Sequence, residues 1–290
     1  MQFYKEDIRF ENPFLSMKIF AANRVVDAIS RWHHHKEVEI LVIAEGVLHV
    51  FVEDEQYMLR AGELVLIGAN QLHRDRSYAE EGTMRYFVLQ FDIHDYFEQS
   101  TMPYYRFLSE TDYPWSKLNY IFGNNDTARE SIVDSVKQIY DESQTKREGY
   151  EIAVSLLIKK IVLTLLRSDN RHFPHHRENN DLLRLRPVLD YIEQNVCGKI
   201  QVEEASRIVN MSYYYFVKYF KKVLGMSFLE YVNYKKIKRA ERILLTNEVN
   251  VAQVGEEVGM PNMAHFYKMF RKYNDCSPHD YRKKMAEWSK

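Results

Sequence analysis

The 290-residue chain has few cysteines and no long apolar run. Only Cys197 and Cys276 occur, which excludes a disulfide framework and predicts a reducing compartment, the cytoplasm. The first ten residues, MQFYKEDIRF, lack the apolar core of a signal peptide. The longest apolar stretch, VSLLIKKIVLTLL at 154–166, is interrupted by two lysines and is too short to span a bilayer. We therefore expect no membrane partner.

Net charge is also small, but it is unevenly distributed. The whole chain carries −1, whereas residues 187–290 contain 17 basic and 12 acidic residues, a balance of +5. A basic C-terminal third attached to an acidic body indicates that one part of the chain contacts a polyanion. Ordinary surface variation gives the same balance, so charge alone does not identify the partner.

The hydrophobic pattern predicts strands up to about residue 95. HVFVEDEQYML (49–59) alternates and turns through acidic residues, GELVLIGA (62–69) is a short apolar run, and MRYFVLQFDI (84–93) is rich in strand-forming residues. Many short strands separated by polar turns are typical of a sandwich or barrel. With 46% hydrophobic residues, the chain has enough apolar surface to form a core.

From about residue 128 the pattern becomes helical. ESIVDSVKQIYDES places one apolar face on Ile132, Val133, Val136, Ile139 and Tyr140, and EIAVSLLIKKIVLTLLR repeats the period over four turns. The next stretch, SDNRHFPHHRENN (168–180), is polar and aperiodic, which predicts a linker.

The C-terminal third contains a repeat. VNMSYYYFVKYFKKVLGMSFLEY (209–231) and VGMPNMAHFYKMFRKYNDCSPHDY (258–281) share aromatic and basic positions fifty residues apart. The matched pairs are Phe216/Phe266, Lys218/Lys268, Phe220/Phe270, Lys221/Arg271, Lys222/Lys272, Ser227/Ser277 and Tyr231/Tyr281. A repeat of this kind indicates a duplicated structural unit.

Each repeat unit predicts a short helix, a tight turn and a second helix. In the first, Asn210 occupies the turn and Ser212 can cap the second helix; in the second, Gly259 occupies the turn and Pro261 fits a helix start. This is a helix-turn-helix arrangement.

The second helix of each unit has one apolar and one exposed face. Phe216, Tyr219 and Phe220, and their counterparts Phe266, Met269 and Phe270, have the spacing of a core stripe. A major groove admits one helix, whose exposed side chains reach base edges while basic residues contact phosphates. We predict DNA contacts from Tyr213, Tyr214, Val217, Lys218, Lys221, Asn262, Met263, Ala264, His265, Lys268 and Arg271.

Residues 185–284 resemble the AraC/XylS family of transcription regulators. The pattern lies in Gly259, Phe266, the run Phe270–Lys272, and Ser277-Pro278-x-x-Tyr281-Arg282. The resemblance implies two helix-turn-helix units joined by a linker helix at 227–246, with both recognition helices in successive major grooves. Asn210 and Met260 depart from the usual glycine and phenylalanine; Asn tolerates left-handed geometry, and Met260 is a tolerable core replacement.

An N-terminal histidine pattern resembles the cupin superfamily. His33-x-His35-x3-Glu39-x6-Gly46 matches the first cupin motif, whereas the second is partial, with Gly62 and His73 present but Gly68 and Asn70 in place of proline and glycine. In metal-binding cupins such residues converge on one ion, and imidazoles with a carboxylate suit iron, manganese, zinc or nickel. In AraC-like sensors the same fragments line a pocket that reports a small molecule, which the regulator resemblance favours here.

We therefore predict a small-molecule effector, by resemblance a sugar, and no catalytic residues. Hydroxyl groups would be bound by Arg31, His33, His35, Glu39, His73 and Tyr86. No cofactor is expected; a divalent metal held by His33, His35, Glu39 and His73 stays open as an alternative occupant of the same pocket.

The predicted fold class is α+β and multidomain, and the function is a ligand-responsive DNA-binding regulator. The expected domains are a cupin-like β-barrel sensor at 1–95, a helical dimerisation region and linker at 96–180, and an all-α double helix-turn-helix domain at 181–290. The resemblance implies a homodimer, control of carbohydrate genes by activation, and RNA polymerase as a partner beside double-stranded DNA. The alternatives are a metal-dependent cupin enzyme fused to a DNA-binding domain, and a regulator of this type with a non-sugar inducer.

Overall fold

The computed structural model describes residues 3–12, 14–24, 28–78, 84–96, 101, 104, 107, 110, 114–170, 175–246, 249–274 and 276–288. The chain divides into two compact units, Met1–His172 and Phe173–Lys290, here termed the N-terminal and C-terminal units. The predicted fold class is confirmed, since a sheet-rich N-terminal unit precedes an all-helical one. The three-part division of the chain stays a prediction.

Two sheets form the body of the N-terminal unit. Its strands are β1 (Tyr4–Lys5), β2 (Met17–Arg24), β3 (Ala28–Ile29), β4 (His33–His34), β5 (Val38–Glu45), β6 (Val47–Val52), β7 (Glu55–Arg60), β8 (Leu64–Ile67), β9 (His73–Tyr78) and β10 (Met84–Phe91). One sheet has the order β1-β4-β9-β6-β7, with β3 also paired to β9, and the other has the order β2-β10-β5-β8. The strands predicted within 49–59, 62–69 and 84–93 are all present.

Side chains alternate along these strands and build the core between the sheets. In β6, Leu48, Val50 and Val52 are buried, and they meet inward residues of β5 such as Leu41 and Ile43. The turn between β5 and β6 explains the last residue of the histidine motif. Gly46 has φ +83°, a conformation that is strained for residues with a side chain, and a Cβ there would crowd the Cα of Met84 at 3.2 Å.

Asn70 shows how the incomplete second motif still forms its turn. Asn70 has φ +61°, a left-handed conformation that asparagine adopts more readily than most residues. Its backbone N–H donates to the carbonyl of His35 at 2.7 Å, which joins this turn to the segment carrying the first histidines.

Helices follow the sheets in the N-terminal unit. The 3₁₀ turns Ile93–Tyr96 and Trp115–Leu118 are followed by α1 (Tyr120–Asn124), α2 (Asp126–Thr145) and α3 (Tyr150–Ser168). The predicted apolar face of α2 is buried at Ile132, Val136 and Ile139. This face packs inside the unit, because α2 contacts β2, β10 and α3, and Tyr140 lies 5.0 Å from Phe87 between ring centroids. The face of α2 therefore needs no second chain to be covered.

The C-terminal unit contains seven helices among the described residues. They are α4 (His175–Gln194), α5 (Val202–Ile208), α6 (Tyr213–Leu224), α7 (Phe228–Thr246), α8 (Val251–Glu257), α9 (Met263–Asn274) and α10 (Pro278–Trp288). The division between the two units falls inside the stretch predicted as a linker, 168–180, and residues 175–180 of that stretch form the first turns of α4. The sequence of these turns is polar, so apolar periodicity does not reveal the helix. Residues 171–174 of the same stretch lie outside the described part of the chain.

The two helix-turn-helix units have the same backbone hydrogen bonds. In the first turn, Asn210 has φ +54° and the N–H groups of Asn210 and Met211 donate to Arg207 and Ser206. In the second turn, Gly259 has φ +66° and the N–H groups of Gly259 and Met260 donate to Glu256 and Gly255. This is the same helix-ending motif used twice, which confirms the repeat and the prediction that Asn210 preserves the turn.

The caps that start α6 and α9 are also equivalent. Ser212 accepts a hydrogen bond from the N–H of Tyr215, as predicted, and Asn262 accepts one from the N–H of His265 at 3.1 Å. Pro261, predicted to fit the helix start, lies immediately before this cap, and α9 begins at Met263. Asn262 competes successfully for the cap because its side-chain carbonyl satisfies a free N–H.

Candidate DNA interface and effector pocket

One face of α6 is buried and the opposite face is open to solvent. Phe216, Tyr219 and Phe220 are buried as predicted, and Phe216 and Phe220 pack on Phe228 of α7. On the open side, Tyr213, Tyr214, Lys218 and Lys221 are exposed, and Tyr214 retains 81% of its surface; Val217 is half-buried. The ring of Tyr214 lies 5.6 Å from that of Tyr213 between centroids, and an exposed aromatic pair at the start of a helix suits contact with a large partner.

Helix α9 has the same division of faces. Phe266 and Phe270 are fully buried, and Met269 is half-buried against the same core. The exposed predicted residues are Asn262, Ala264, His265, Lys268 and Arg271. Met263 differs from them, because its side chain is half-buried in the core and its sulfur would lie 3.1 Å from a Cβ built on Gly255. Met263 is therefore less available for a base edge than its neighbours.

The last turns of α6 and α9 are basic. Lys221 and Lys222 end α6, and Arg271 and Lys272 end α9. Lys272 is paired with Glu230 of α7 at 3.6 Å, which leaves Lys221, Lys222 and Arg271 as the more accessible charges. This arrangement can place phosphates beside the helices while their first turns face the bases.

The N-terminal unit encloses a cavity of about 390 Å³ between its two sheets. This volume lies in the range of small-molecule sites. Its walls are formed by Tyr4, Glu6, Phe20, Ala22, Asn23, Arg24, Ser30, His33, Glu39, Leu41, Val50, His73, Arg74, Asp75, Tyr86, Val88 and Gln90.

Three histidines converge at this cavity, as the motif predicts. Possible ligand atoms of His33, His35 and His73 all lie within 4.8 Å of one another. Each Nδ1 is hydrogen-bonded to a backbone carbonyl two residues away: Arg31 at 2.9 Å, Glu37 at 3.1 Å and Gln71 at 2.8 Å. With the proton on Nδ1, the ring of His73 presents its Nε2 lone pair to the cluster, an orientation that carbonyl partners also give to metal-binding imidazoles, whereas the Nε2 of His35 donates to Glu39.

Glu39 lies at the centre of this cluster. One carboxylate oxygen contacts the Nε2 of His35 at 3.1 Å and accepts from Gln90 at 2.7 Å, and the other lies 3.7 Å from the Nε2 of His73. Burial acts to raise the pKa of Glu39, but the His35 hydrogen bond and the neighbouring imidazoles outweigh it and lower the pKa to about 2. Glu39 is therefore an anion whose charge the imidazoles compensate.

The two buried imidazoles respond differently. Burial acts to lower the pKa of His35, but the hydrogen bond and charge of Glu39 leave it raised. Burial lowers the pKa of His73 to about 4, so this ring is neutral near pH 7. Its Nε2 is buried and has no hydrogen-bond partner, which is a costly state for a polar atom unless a bound group satisfies it.

A second polar group in the cavity consists of Arg24, Asp75 and Tyr86. Arg24 pairs with Asp75 at 2.8 Å, and the Tyr86 hydroxyl donates to the same carboxylate oxygen at 3.1 Å. Burial raises the pKa of Tyr86, so its hydroxyl keeps its proton and stays a donor. Phe20, Leu41, Val50 and Val88 supply the apolar part of the wall of the same cavity.

Most of the predicted pocket residues are brought together, with one exception. His33, Glu39, His73 and Tyr86 line the cavity, and the fully buried His35 reaches it through Glu39. The prediction for Arg31 differs from the structure: its side chain is exposed and outside the cavity wall, because Arg31 precedes the first residue of β4 and the alternation of the strand does not extend to it.

Sequence reasoning missed several pocket residues. Arg24, Asp75 and Gln90 line the cavity, as do Tyr4 and Glu6 of the N-terminal segment. Strand parity carries a signal for three of them. Asp75 has the parity of His73 on β9, Gln90 that of Tyr86 on β10, and Arg24 that of Phe20 on β2. The parity does not reveal which strands face one another.

The residues fit a divalent metal ion, which the cupin resemblance implies. His33, His35 and His73 supply three nitrogen donors, Glu39 supplies an adjacent carboxylate, and the Nε2 of His73 has no hydrogen-bond partner and is open to a ligand. Across the described ranges, the helices are all too short or too polar to cross a bilayer.

Comparisons with known proteins cover both units. The description "AraC-like ligand binding domain" matches residues 20–158, and "Helix-turn-helix domain" matches residues 205–284. The HTH-type transcriptional regulator YdeC of Bacillus subtilis is 23% identical over 271 residues, covering 90% of this chain and 89% of the relative. The xylose operon regulatory protein of Escherichia coli is 23% identical over 125 residues, 43% of this chain and 32% of its own length.

Solved structures of regulators also match over nearly the full length. The crystal structure of ToxT from Vibrio cholerae has a TM-score of 0.37 at 11% identity, covering 93% of this chain and 98% of that one. The two family matches, taken with relatives that span both units, confirm the resemblance drawn from the repeat and the histidine motif. The chain belongs to the AraC family of ligand-responsive, DNA-binding transcription regulators.

Proposed function

We propose that α6 and α9 bind successive major grooves on one face of double-stranded DNA. The observation that carries this proposal is the duplicated unit: two helices begin after the same turn and cap, and each exposes a polar face with a basic last turn. Grooves on one face recur after one helical turn, about 34 Å. The side chains that would face bases are those of Tyr213, Tyr214, Lys218, Asn262, Ala264, His265 and Lys268. Lys221 and Arg271 would contact phosphates. Val217 and Met263 would contribute the exposed atoms of their side chains.

Selection of binding sites from a random DNA library tests this proposal directly. The full chain should enrich a site with two short boxes about one helical turn apart, and its affinity should fall steeply with salt as counterions are released. Enrichment of a single box, or binding with no sequence preference, would contradict the two-groove proposal. Binding to double-stranded DNA also supports the cytoplasmic location expected from the sequence.

For the effector we propose a small polyhydroxylated molecule such as a sugar. The cavity combines paired charges, Arg24 with Asp75 and His35 with Glu39, and these pairs can exchange hydrogen bonds with neutral hydroxyl groups. Apolar surfaces from Phe20 and Val88 suit the carbon skeleton between hydroxyls. Control of carbohydrate genes follows from this effector class.

A panel of sugars should raise the melting temperature of the full chain when the right class is present. Binding to the native state stabilises it by mass action, by about 2.7 kcal/mol at a ligand concentration 100 times Kd. Asp75→Asn, which keeps the shape but weakens the Arg24 pair, should remove the shift, whereas Arg31→Ala should keep it. A shift lost in Arg31→Ala and kept in Asp75→Asn would contradict this account of the cavity.

A divalent metal is the second candidate occupant, favoured by the buried Nε2 of His73 that lacks a partner. His33, His35 and His73 would hold it, with Glu39 beside them. A bound ion would supply a Lewis-acidic centre for an oxygen atom of the effector. A metal-dependent enzyme would use the same residues, and turnover of a bound substrate would distinguish it from a sensor.

We also propose that the outer face of α3 forms a homodimer interface. Ile152, Leu156 and Leu163 are exposed by 68%, 62% and 41% at helical spacing, although the inner face of α3 packs on α2. An aliphatic stripe on one helix can pair with itself about a two-fold axis. A dimer would bring four helix-turn-helix units to DNA.

Ile152→Asp combined with Leu156→Asp is expected to convert the dimer to monomer at micromolar concentration. Two carboxylates would oppose each other across the symmetric contact and lose hydration there. Analytical ultracentrifugation measures the change, with Lys137→Asp on the exposed side of α2 as control. A wild-type chain that sediments as a monomer, with and without effector, would remove the dimer proposal.

Regulation then follows from a population shift. The effector would favour one of the states available to the chain, and that state would differ in its affinity for DNA or in its contact with RNA polymerase. Activation and the RNA polymerase contact are carried over from the family resemblance. Reporter expression from a selected site, with and without effector, measures the direction.

A further inference from the structure

Helix α7 connects the two helix-turn-helix units and belongs to both of their cores. Its first turns pack in the first core, where the ring of Phe228 lies 5.4 Å from Phe216 and 5.3 Å from Phe220. Its later residues, Ile237, Ala240, Ile243 and Leu244, are buried in the second core with Phe266 and Phe270. The change from one core to the other occurs next to Lys236.

Lys236 is buried, with 6% of its surface exposed. Its ammonium group donates hydrogen bonds to the carbonyl of Gly198 at 2.8 Å and to the carbonyl of Gly259 at 2.9 Å. Gly198 lies in the loop that leads into α5 of the first unit, and Gly259 is the turn residue of the second. One side chain therefore joins backbone groups from both units.

The space around Gly259 shows how closely these segments meet. A Cβ at this position would lie 2.6 Å from the carbonyl oxygen of Cys197 and 2.7 Å from the Nζ of Lys236. The turn of the second unit thus rests directly against the loop that enters the first. This contact requires glycine, whereas the positive φ alone does not, because Asn210 adopts it in the equivalent turn of the first unit.

The hydrogen bonds that Lys236 donates constrain the relative orientation of the two units, which apolar packing does not. Burial of apolar surface is non-directional, so two small cores that share one helix leave their relative angle weakly defined. A second contact fixes the far end of α9, because the Tyr273 hydroxyl donates to the carbonyl of Glu230 on α7 at 3.1 Å. Lys236 before α9 and Tyr273 at its last turn together constrain the orientation of this helix on α7.

We propose that Lys236 is a positioning residue that sets the separation and angle of α6 and α9, and thereby the spacing of the two DNA boxes. The inference rests on the proposal that these helices occupy successive grooves. Lys236 is itself buried away from DNA, so it acts through the two carbonyls and not through a phosphate contact.

The test uses the full chain and a two-box site selected by the wild type. Lys236→Met keeps the aliphatic chain and removes the hydrogen-bond donor. The affinity of this variant for the two-box site should fall about 10- to 100-fold. Linking two binding modules increases affinity by ~10²–10⁴, and a misplaced helix loses part of that increase. Affinity for sites with either box scrambled should stay within about twofold, and a one-base-pair insertion between the boxes should cost the variant less than the wild type. Lys238→Met, which removes an equal charge from α7 where Lys238 pairs with Glu241 on the same helix, should match the wild type.

Each outcome decides the inference. Equal weakening on two-box and one-box sites, or an unchanged spacing preference, overturns the positioning role while the two-groove proposal stands. A wild type that selects only one box overturns both. If thermal melting shows that Lys236→Met does not fold, Lys236→Gln, which retains a donor of shorter reach, carries the same comparison: an unaltered spacing preference in that variant also overturns the inference.

Discussion

Replacing Lys218 and Lys268 together with alanine is expected to weaken binding to the selected DNA site by about 100-fold or more. The two lysines are equivalent in the repeat and lie on the exposed faces of α6 and α9, opposite the buried phenylalanines. A lysine contact to DNA is worth about 1–3 kcal/mol, and each 1.4 kcal/mol is tenfold in affinity. Fluorescence anisotropy with labelled DNA measures the loss for each single variant and for the pair.

The salt dependence of the same variants identifies what each lysine contacts. A lost phosphate contact reduces the slope of log affinity against log salt by about one, whereas a lost base contact relaxes sequence preference at one position. Because α6 and α9 are equivalent, the two single variants should show the same signature in different boxes. Each single variant therefore serves as an independent test of the same contact in the other repeat unit.

A charge-matched control separates local contact from net charge. Lys137→Ala combined with Arg60→Ala removes two exposed positive charges from the N-terminal unit and should leave DNA affinity nearly unchanged at physiological salt, where the Debye length is about 8 Å. Substitutions at exposed positions change stability by about 0.5 kcal/mol or less, so folding should be intact in all variants. Unchanged affinity of the Lys218 and Lys268 variants would mean that the recognition helices are placed wrongly.

The C-terminal unit was the more predictable part of the chain, because its determinants are local. Helix spacing places Phe216 and Phe220 in a core, and the turn residues Asn210 and Gly259 adopt the left-handed conformation that their residue types favour. The start of α9 shows the limit of local reasoning: proline and asparagine stand side by side, and either can precede a helix. The observed cap on Asn262 decides between them.

The cavity was predictable only in part, because it depends on contacts between distant strands. His33 and His73 are forty residues apart in sequence yet occupy paired positions of β4 and β9. The spacing of the cupin motif predicts that these two histidines lie together, whereas no local sequence pattern predicts that Arg24 contacts Asp75. Alternation gives the face of each strand, and the sheet order decides which faces meet. The prediction for Arg31 assumed that the alternation of β4 extends to it, but the strand begins at His33.

The buried position of Lys236 could not be read from the sequence at all. A lysine in a basic stretch of helix, here with Lys235 before it and Lys238 two residues after it, normally indicates a solvated face. Its burial follows from the meeting of the Gly198 loop and the Gly259 turn, sixty-one residues apart in the chain, whose carbonyls need a donor where the two cores adjoin. A polar residue at such a junction is favoured because it satisfies both groups at once.

His73→Ala is expected to abolish stoichiometric binding of a divalent metal ion by the full chain. If the metal is the occupant, one ion per wild-type chain should bind and raise the melting temperature, because a ligand at 100 times Kd adds about 2.7 kcal/mol of stability and each kcal/mol shifts a domain of this size by about 2–4 °C. Removing His73 deletes the one imidazole whose buried Nε2 has no other partner. Calorimetric titration with zinc, nickel and manganese gives the stoichiometry and the affinity.

His34→Ala is the matched control for that experiment. His34 is adjacent to the cluster in sequence, but its ring lies near Phe3, and it is not a member of the set formed by His33, His35 and His73. Metal binding should persist in this variant and disappear in His73→Ala. If the wild type binds no ion, while a sugar raises its melting temperature and His73→Ala removes that effect, the free Nε2 serves an effector hydroxyl. A metal ion and an effector hydroxyl would both bind the Nε2 of His73, so the metal and sugar titrations together show which of the two occupies the site.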